Sequence, residues 1–142
     1  MLLKQISVFV ENRPGAIMDI TSVLTKSGIN IRAIAIADTA DFGVVRLIVD
    51  KRKEALMALR EARMTVKETD VLALEISDSP GSFEAVLKTL YENKIMIEYC
   101  YGFISPISGG ATIILKCDEQ EKAHESLITN GFKLLTADAV KF

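Results

Sequence analysis

The sequence contains an internal repeat, and this repeat constrains the fold more than any other feature of the chain. The pair Pro14-Gly15 recurs 66 positions later as Pro80-Gly81. Apolar residues correspond at the same offset: Ile6, Val8, Val10, Ile17, Ile20 and Leu24 match Leu72, Leu74, Ile76, Phe83, Val86 and Leu90. After a two-residue insertion the offset becomes 68, and the matches continue as Asp50, Ala55 and Leu59 with Asp118, Ala123 and Leu127. Because a repeat of this length marks one structural unit per copy, the 142 residues are predicted to form two domains, 1–68 and 69–142.

Within each copy, the spacing of apolar residues predicts six elements in the order strand, helix, strand, strand, helix, strand. Residues 3–10 alternate with the period of a strand, whereas Ile17, Ile20 and Leu24 recur with the period of a helix that Gly28 ends. The remaining elements predicted for the first copy are strands 29–37, 44–50 and 64–67 and helix 51–62. Those of the second copy are strands 71–77, 95–103, 111–117 and 132–140 and helices 81–92 and 119–129, after a linker at 68–70.

This order of elements predicts an α+β fold of two ferredoxin-like repeats. Each βαββαβ repeat is expected to form a four-stranded antiparallel sheet with two helices on one face, since βαβ crossovers are right-handed. The other face is not expected to be polar. Phe9 alternates with the inward-facing Val8 and Val10 and therefore points to that face, and strand 29–37 carries apolar residues on both faces, since Ile34 and Ile36 alternate with alanines. A sheet that is apolar on both faces has to be covered on both. We therefore expect a second sheet or a second subunit as the cover, and a homodimer.

Composition and charge disfavour several classes of protein. The formal net charge is −2 and no basic run exists, which argues against a nucleic-acid partner. No apolar stretch reaches the roughly 20 residues of a membrane span, and residues 1–15 alternate like a strand rather than a signal peptide, so we expect a cytoplasmic protein. The lone His124 has no catalytic motif around it, and Cys100 and Cys117 form no metal-binding pattern. The sequence therefore predicts no enzyme activity, no metal and no cofactor.

The turn between the first strand and the first helix has the chemistry of an anion site. Pro14 and Gly15 precede a helix whose first N–H groups have no partner within the helix, and these groups attract negative charge. Gly15 lets a ligand approach the backbone, while the amide of Asn12 offers a donor and an acceptor. Asn30 begins the next strand, and we expect it near the same end of the sheet. The turn predicts a zwitterionic ligand, although the same residue types also suit a plain helix-start turn.

Two segments of the first copy match a known family: V-E-N-R-P-G-A-I at residues 10–17 and K-S-G-I-N-I at residues 26–31. They resemble the ACT domain, a βαββαβ regulatory module that binds amino acids and other small metabolites. In serine-sensing ACT domains of a biosynthetic dehydrogenase, asparagines at the positions of Asn12 and Asn30 contact the ligand, which implies this role here. Val10 stands where that subfamily has a histidine, so the resemblance does not indicate serine itself. The second copy is similar through residues 78–81 and 94–97, and the chain resembles a stand-alone tandem-ACT protein.

The second copy departs from the pattern at three positions, where Asp78, Ser79 and Met96 replace Asn12, Arg13 and Asn30. We therefore expect unequal sites, with the first copy as the binder. Tyr99 and Tyr101 of the second copy offer flat amphipathic surface and are candidates for a wall of the pocket, although tyrosines of this kind more often pack in a core or an interface. The predicted ligand-binding residues are Asn12, Arg13, Pro14, Gly15, Ala16, Ile17, Asn30, Ile31, Tyr99 and Tyr101.

Two functions remain open from the sequence. The first is a non-catalytic, allosteric regulatory protein that senses an α-amino acid, with a neutral or weakly basic side chain, and transmits binding through domain or subunit packing. The alternative is a regulatory subunit resembling the small subunit of acetolactate synthase, with a metabolic enzyme as its partner. RNA-binding domains share the topology, but they need exposed aromatic residues in basic surroundings. The net charge of −2 and the absence of a basic run therefore argue against RNA binding.

Overall fold

The computed structural model describes residues 2–38, 41–104 and 109–136. The chain divides into two compact units. The N-unit is Lys4–Thr69, and the C-unit is Asp70–Phe142 together with Met1–Leu3. The boundary between them along the chain thus falls between Thr69 and Asp70.

The elements follow the predicted order. They are β1 (Leu3–Glu11), α1 (Ala16–Lys26), β2 (Ile31–Asp38), β3 (Phe42–Val49), α2 (Arg52–Glu61), β4 (Thr65–Ser77), α3 (Ser82–Glu92), β5 (Ile97–Ile104), β6 (Gly110–Cys117), α4 (Gln120–Thr129) and β7 (Lys133–Leu135). The linker expected at 68–70 lies inside β4, so the predicted strands 64–67 and 71–77 are one extended segment. Of the predicted strand 132–140, residues 137–140 lie outside the described part of the chain, as do residues 105–108 of the expected hairpin loop. No helix among the described residues is long and apolar enough to cross a bilayer.

The N-unit forms an antiparallel sheet in which β3 lies between β1 and β2. Val8 is opposite Val45 and Ile6 is opposite Leu47, so these four side chains share one face of the sheet. Helices α1 and α2 cover that face, and the resulting core contains the fully buried Ile20, Leu24 and Leu59 among its members. A sheet with both helices on one face is the predicted ferredoxin-like arrangement, and the prediction is confirmed for this unit.

The C-unit repeats the arrangement with the strand order β5-β6-β4-β7. Leu72 is opposite Leu115 and Leu74 is opposite Ile113, at positions that match those of the N-unit. Helices α3 and α4 contribute Val86, Leu90 and Leu127 to the core. The predicted fold class, two α+β repeats of the ferredoxin-like kind, is therefore confirmed for the second copy as well.

The two faces of the N-unit sheet differ from the expectation in one respect. Ile34 and Ile36 are opposite Leu47 and Val45, which places them on the helix face, yet they are 44% and 55% exposed. The face away from the helices carries the strand's alanines, and it also holds the buried polar Gln5, whose amide nitrogen donates to the Ser7 hydroxyl at 3.2 Å. The exposed apolar surface of β2 thus lies beside its own helices rather than on the opposite face of the sheet.

Candidate functional site

The turn between β1 and α1 is built around the backbone of Gly15. This residue has φ +86° and ψ −8° and precedes the first residue of α1 without a capping side chain. A left-handed conformation of this kind carries little strain only for glycine. The N–H of Ala16 donates to the carbonyl of Arg13 at 3.3 Å. Among the residues that the structure describes, the N–H groups of Gly15, Ile17 and Met18 donate no hydrogen bond. These donors lie at the positive end of the helix dipole and can receive an anion.

An ion pair crosses the start of α1. Nη2 of Arg13 lies 2.6 Å from Oδ2 of Asp19, in the first turn of the helix. Nη1 of the same guanidinium donates to the carbonyl of Pro14 at 3.3 Å, and it lies 3.7 Å from where a Cβ on Gly15 would be. The hydrogen bond and the charge of Asp19 raise the pKa of Arg13 above its usual value. Arg13, which the sequence placed in the site, therefore lies over Gly15 and holds a carboxylate of its own chain.

Asn12 lies against β3, and the contact identifies a residue that the sequence analysis missed. The Asn12 N–H donates to the carbonyl of Asp41 at 3.3 Å. A Cβ added to Gly43 would lie 2.9 Å from Oδ1 of Asn12, closer than a real Cβ contact allows. Gly43 is opposite Val10 in the register, whereas the C-unit has Ala111 opposite Ile76 at the matching position. A glycine inside an apolar strand often marks such a close approach, and this was the signal available in the sequence.

Asn30 does not lie at the same end of the sheet as Asn12, and that expectation is wrong. The Asn30 N–H donates to Oδ1 of Asp50 at 2.9 Å, and the Asp50 N–H donates back to the Asn30 carbonyl at 3.1 Å. These residues flank the last residue of β3, whereas Asn12 flanks its first residues. Because β3 has 8 residues, the two ends are about 23 Å apart. The reason is topological: α1 carries the chain back along the sheet before β2 begins, so Asn30 and Ile31 start at the far end.

The turn between β4 and α3 has the same backbone but different side chains. Gly81 has φ +87° and ψ −11°, nearly identical to Gly15. Here the hydroxyls of Ser77, Ser79 and Ser82 lie 2.5 to 2.8 Å from one another. Ser79 takes the place of Arg13, and Ala85 takes the place of Asp19. The ion pair of the first turn therefore has no counterpart in the second.

Tyr99 and Tyr101 lie on β5 of the C-unit. They are opposite Lys116 and Ile114 of β6, on the face away from α3 and α4, and both are half-buried. A role for them as a wall of the ligand pocket stays a prediction.

A depression of about 610 Å³ lies where α3 ends and β5 begins. Its lining residues are Tyr91, Glu92, Lys94, Ile95 and Met96. Tyr91 and Met96 are 82% and 61% exposed, and the two charged residues between them offer one acid and one base. Met96 stands where the N-unit has Asn30, so this depression is the competing location for a small ligand.

The cysteines and the histidine, the remaining titratable residues considered as functional candidates, do not form a common site. Cys100 is an exposed free thiol, and Cys117 is a buried one whose pKa is raised to about 11, mainly by burial. His124 is half-buried on α4. Within residues 2–38, 41–104 and 109–136, no cluster of His, Cys, Asp or Glu could hold a metal ion.

The fold and the two glycine turns define a pair of βαββαβ modules, and sequence comparison shows to which family they belong. The family model described as "ACT domain pair" matches residues 1–141, so this chain belongs to the ACT domain pair family. A comparison of the sequence with curated proteins gives no match.

Among solved structures, the chain is similar to protein BT0572 from Bacteroides thetaiotaomicron. The two share 34% sequence identity with a TM-score of 0.93, and the match covers 99% of this chain and 96% of that one. The regulatory subunit of aspartate kinase from Thermus thermophilus, in its ligand-free form, has 17% identity, a TM-score of 0.63 and coverage of 92% and 94%. The corresponding subunit from Thermus flavus has 16% identity, a TM-score of 0.62 and coverage of 91% and 93%. At these identities the two Thermus proteins show a shared fold.

Proposed function

We propose that this ACT pair is a non-catalytic regulatory protein that binds an α-amino acid at the β1–α1 turn of the N-unit. The observation that carries the proposal is the group of N–H donors at Gly15, Ile17 and Met18, which make no hydrogen bond within the described residues. A carboxylate on these donors would gain both hydrogen bonds and the favourable potential of a helix N-terminus. The amide oxygen of Asn12 then serves the ammonium group.

The two turns are proposed to be unequal. Asp78 replaces Asn12 in the C-unit, so a carboxylate ligand there would meet a negative side chain beside the helix start. The N–H donors of that turn are also flanked by the cluster of Ser77, Ser79 and Ser82. We therefore assign binding to the N-unit.

Replacement of Asn12 tests this assignment. We expect Asn12→Ala to weaken amino-acid binding about tenfold, which corresponds to the loss of one or two hydrogen bonds, while the matched variant Asp78→Ala changes it less than about twofold. The measurement begins with a thermal-shift screen of the twenty amino acids, since a bound ligand raises the apparent stability. Isothermal titration calorimetry of each hit follows, with Met96→Ala as a control for the depression near α3. If none of the twenty raises the melting temperature, the proposed function is wrong, and if only Asp78→Ala loses binding, the wrong copy has been assigned.

Gly43 provides an independent test of the position of Asn12. Gly43→Ala places a Cβ against Oδ1 of Asn12, and we expect the flexible Asn12 side chain to move rather than the strand. Binding should weaken about three- to tenfold, while the free energy of unfolding changes by less than about 0.5 kcal/mol. Ala111→Gly, at the matching place in the C-unit, is the control and should leave binding unchanged. Unchanged binding in Gly43→Ala would show that ligand binding does not require the Asn12 side chain in its present position.

Self-association is proposed to be part of this function. Ile34 and Ile36 are exposed on β2, the edge strand of the N-unit sheet beside β3, and an apolar edge strand is a ready surface for a second copy. In a homodimer, a structural change caused by the ligand in one subunit can be transmitted to the other subunit across their interface. We expect sedimentation velocity at micromolar concentration to show a dimer that Ile36→Lys weakens. A stable wild-type monomer would contradict this.

The proposed location is the cytoplasm, and the free thiols support it. Cys100 and Cys117 are both unpaired, and unpaired thiols suit a reducing compartment. Retention of reduced Cys100 in protein isolated under thiol-trapping conditions is the expected result, and an oxidised Cys100 would contradict it.

A second candidate function is regulation of an enzyme by direct contact. The observation that favours it is the exposed apolar group of Tyr91, Leu87 and Met96 on the C-unit, because isolated clusters of large apolar side chains mark interaction surfaces. The Thermus structures are named as regulatory subunits of aspartate kinase, which agrees with such a role. The screen of amino acids separates the two functions, since a purely structural subunit would show no ligand-induced stabilisation.

A further inference from the structure

The ion pair between Arg13 and Asp19 occupies the place where the proposed ligand binds. The guanidinium lies 3.7 Å from the position of a Cβ on Gly15, and therefore over the backbone that a ligand would have to approach. Its Nη2 atom is held by Oδ2 of Asp19 at 2.6 Å. Arg13 is the only basic residue among residues 12–19, and it is thus already paired with a carboxylate of the protein.

The second turn shows that this ion pair is not needed to form the backbone. Gly81 adopts almost the same φ and ψ as Gly15, although Ser79 and Ala85 replace the two charged residues. The pair also contributes little to stability, because its side chains are 52% and 47% exposed and exposed pairs are weak. The backbone of the turn therefore does not require the pair, and the guanidinium lies where a ligand would approach Gly15.

We propose that Asp19 is an internal competitor of the ligand: its carboxylate holds Arg13 in the empty protein, and the carboxylate of the amino acid replaces it on the guanidinium. This inference rests on the proposed function. Asp19 and the Pro14 carbonyl already engage both Nη atoms of Arg13, so an incoming carboxylate competes with Asp19 for the guanidinium, and Asp19 also repels an incoming anion at the helix start. The pair therefore raises the ligand concentration at which the site fills.

Nuclear magnetic resonance of the full chain, labelled with nitrogen-15, tests the proposal with glycine as the probe and acetate as a second probe without ammonium. The amide signals of Gly15, Ile17 and Met18 report binding at the turn. Asp19→Asn removes the charge and keeps the shape of the side chain, and we expect it to bind both probes about two- to fivefold more tightly, the range of an exposed ion pair. The gain should shrink at high salt. The matched control is Glu84→Gln, which removes an acid from the first turn of α3 and should leave both affinities unchanged.

Arg13→Gln completes the test. If Asp19 acts mainly through Arg13, then Asp19→Asn should have a smaller effect in the Arg13→Gln background than in the wild type, since only its direct repulsion of the anion remains, and the double-mutant cycle measures the difference. Equal or weaker binding by Asp19→Asn, with binding by the wild type intact, would overturn the competitor role and leave the proposed function standing. Absence of shifts at the three amides in every variant would overturn the proposed function itself, and the competitor role with it.

Discussion

Gly15→Val is expected to abolish amino-acid binding, whereas Gly81→Val is expected to leave it unchanged. Both glycines have φ near +86°, a conformation that a β-branched residue adopts only with strain of about 1 to 3 kcal/mol. Neither position clashes with its surroundings, because the nearest atom to a Cβ on Gly15 is 3.7 Å away and none lies within 4 Å at Gly81. The two variants therefore carry the same backbone cost and differ only in which turn the added methyl groups cover.

The measurement is calorimetric titration of each variant with an amino acid that binds the wild type, together with urea denaturation. The denaturation curves should show similar losses of stability for the two variants, which establishes that both still fold. At the first turn, the valine methyl groups occupy the approach to the N–H groups of Gly15, Ile17 and Met18, so the ligand carboxylate cannot reach them. Full-affinity binding by a folded Gly15→Val protein would show that the ligand lies elsewhere, and the depression at Tyr91 and Met96 would be the next place to test.

Most of the fold could be predicted from the sequence because the repeat doubles every local signal. A single stretch of alternating apolar residues is weak evidence for a strand. When the same alternation recurs at the offset at which the Pro-Gly turn recurs, the assignment of a strand becomes much stronger. The merging of two predicted strands into β4 could not be predicted in this way, because Glu68, Thr69 and Asp70 are polar and look like a loop. A polar segment can be extended when its backbone is paired, and pairing is not visible in local periodicity.

The candidate site was predicted less completely, since sequence neighbours and spatial neighbours differ there. The turn at Asn12 and Gly15 could be proposed from the sequence because its signal is local: Asn, Pro and Gly directly precede an apolar helix. Asn30 was assigned to the same end of the sheet because it begins the next strand, but a helix between two parallel strands returns the chain to the opposite end. The Arg13–Asp19 ion pair joins a residue of the turn to a residue on the face of α1. The pair could not be predicted, because no spacing pattern in the sequence indicates that these two side chains meet.

Leu59→Ala and Leu127→Ala are expected to destabilise the protein by about 2 to 5 kcal/mol each, the range for deletion of a buried leucine. The two residues occupy matching positions in α2 and α4, and both are completely buried. Met57→Ala is the control on the same helix as Leu59, because Met57 is 62% exposed and its truncation should cost less than about 0.5 kcal/mol. Urea denaturation of the full chain measures all three. A small loss for only one of the two leucines would mean that the repeat reproduces the sequence pattern of the core but not its energetics.

The same leucine variants connect the core with the proposed binding site. Helix α2 packs against α1, whose first turn holds the proposed ligand, so Leu59 lies in the core of the unit that binds. An amino acid at 100 times its dissociation constant stabilises a folded binding unit by about 2.7 kcal/mol. In Leu59→Ala this gain should offset a large part of the loss and move the urea midpoint back towards the wild-type value. If saturating ligand leaves the midpoint of Leu59→Ala where it was, while the ligand still binds the wild type, the N-unit is not the unit that holds it.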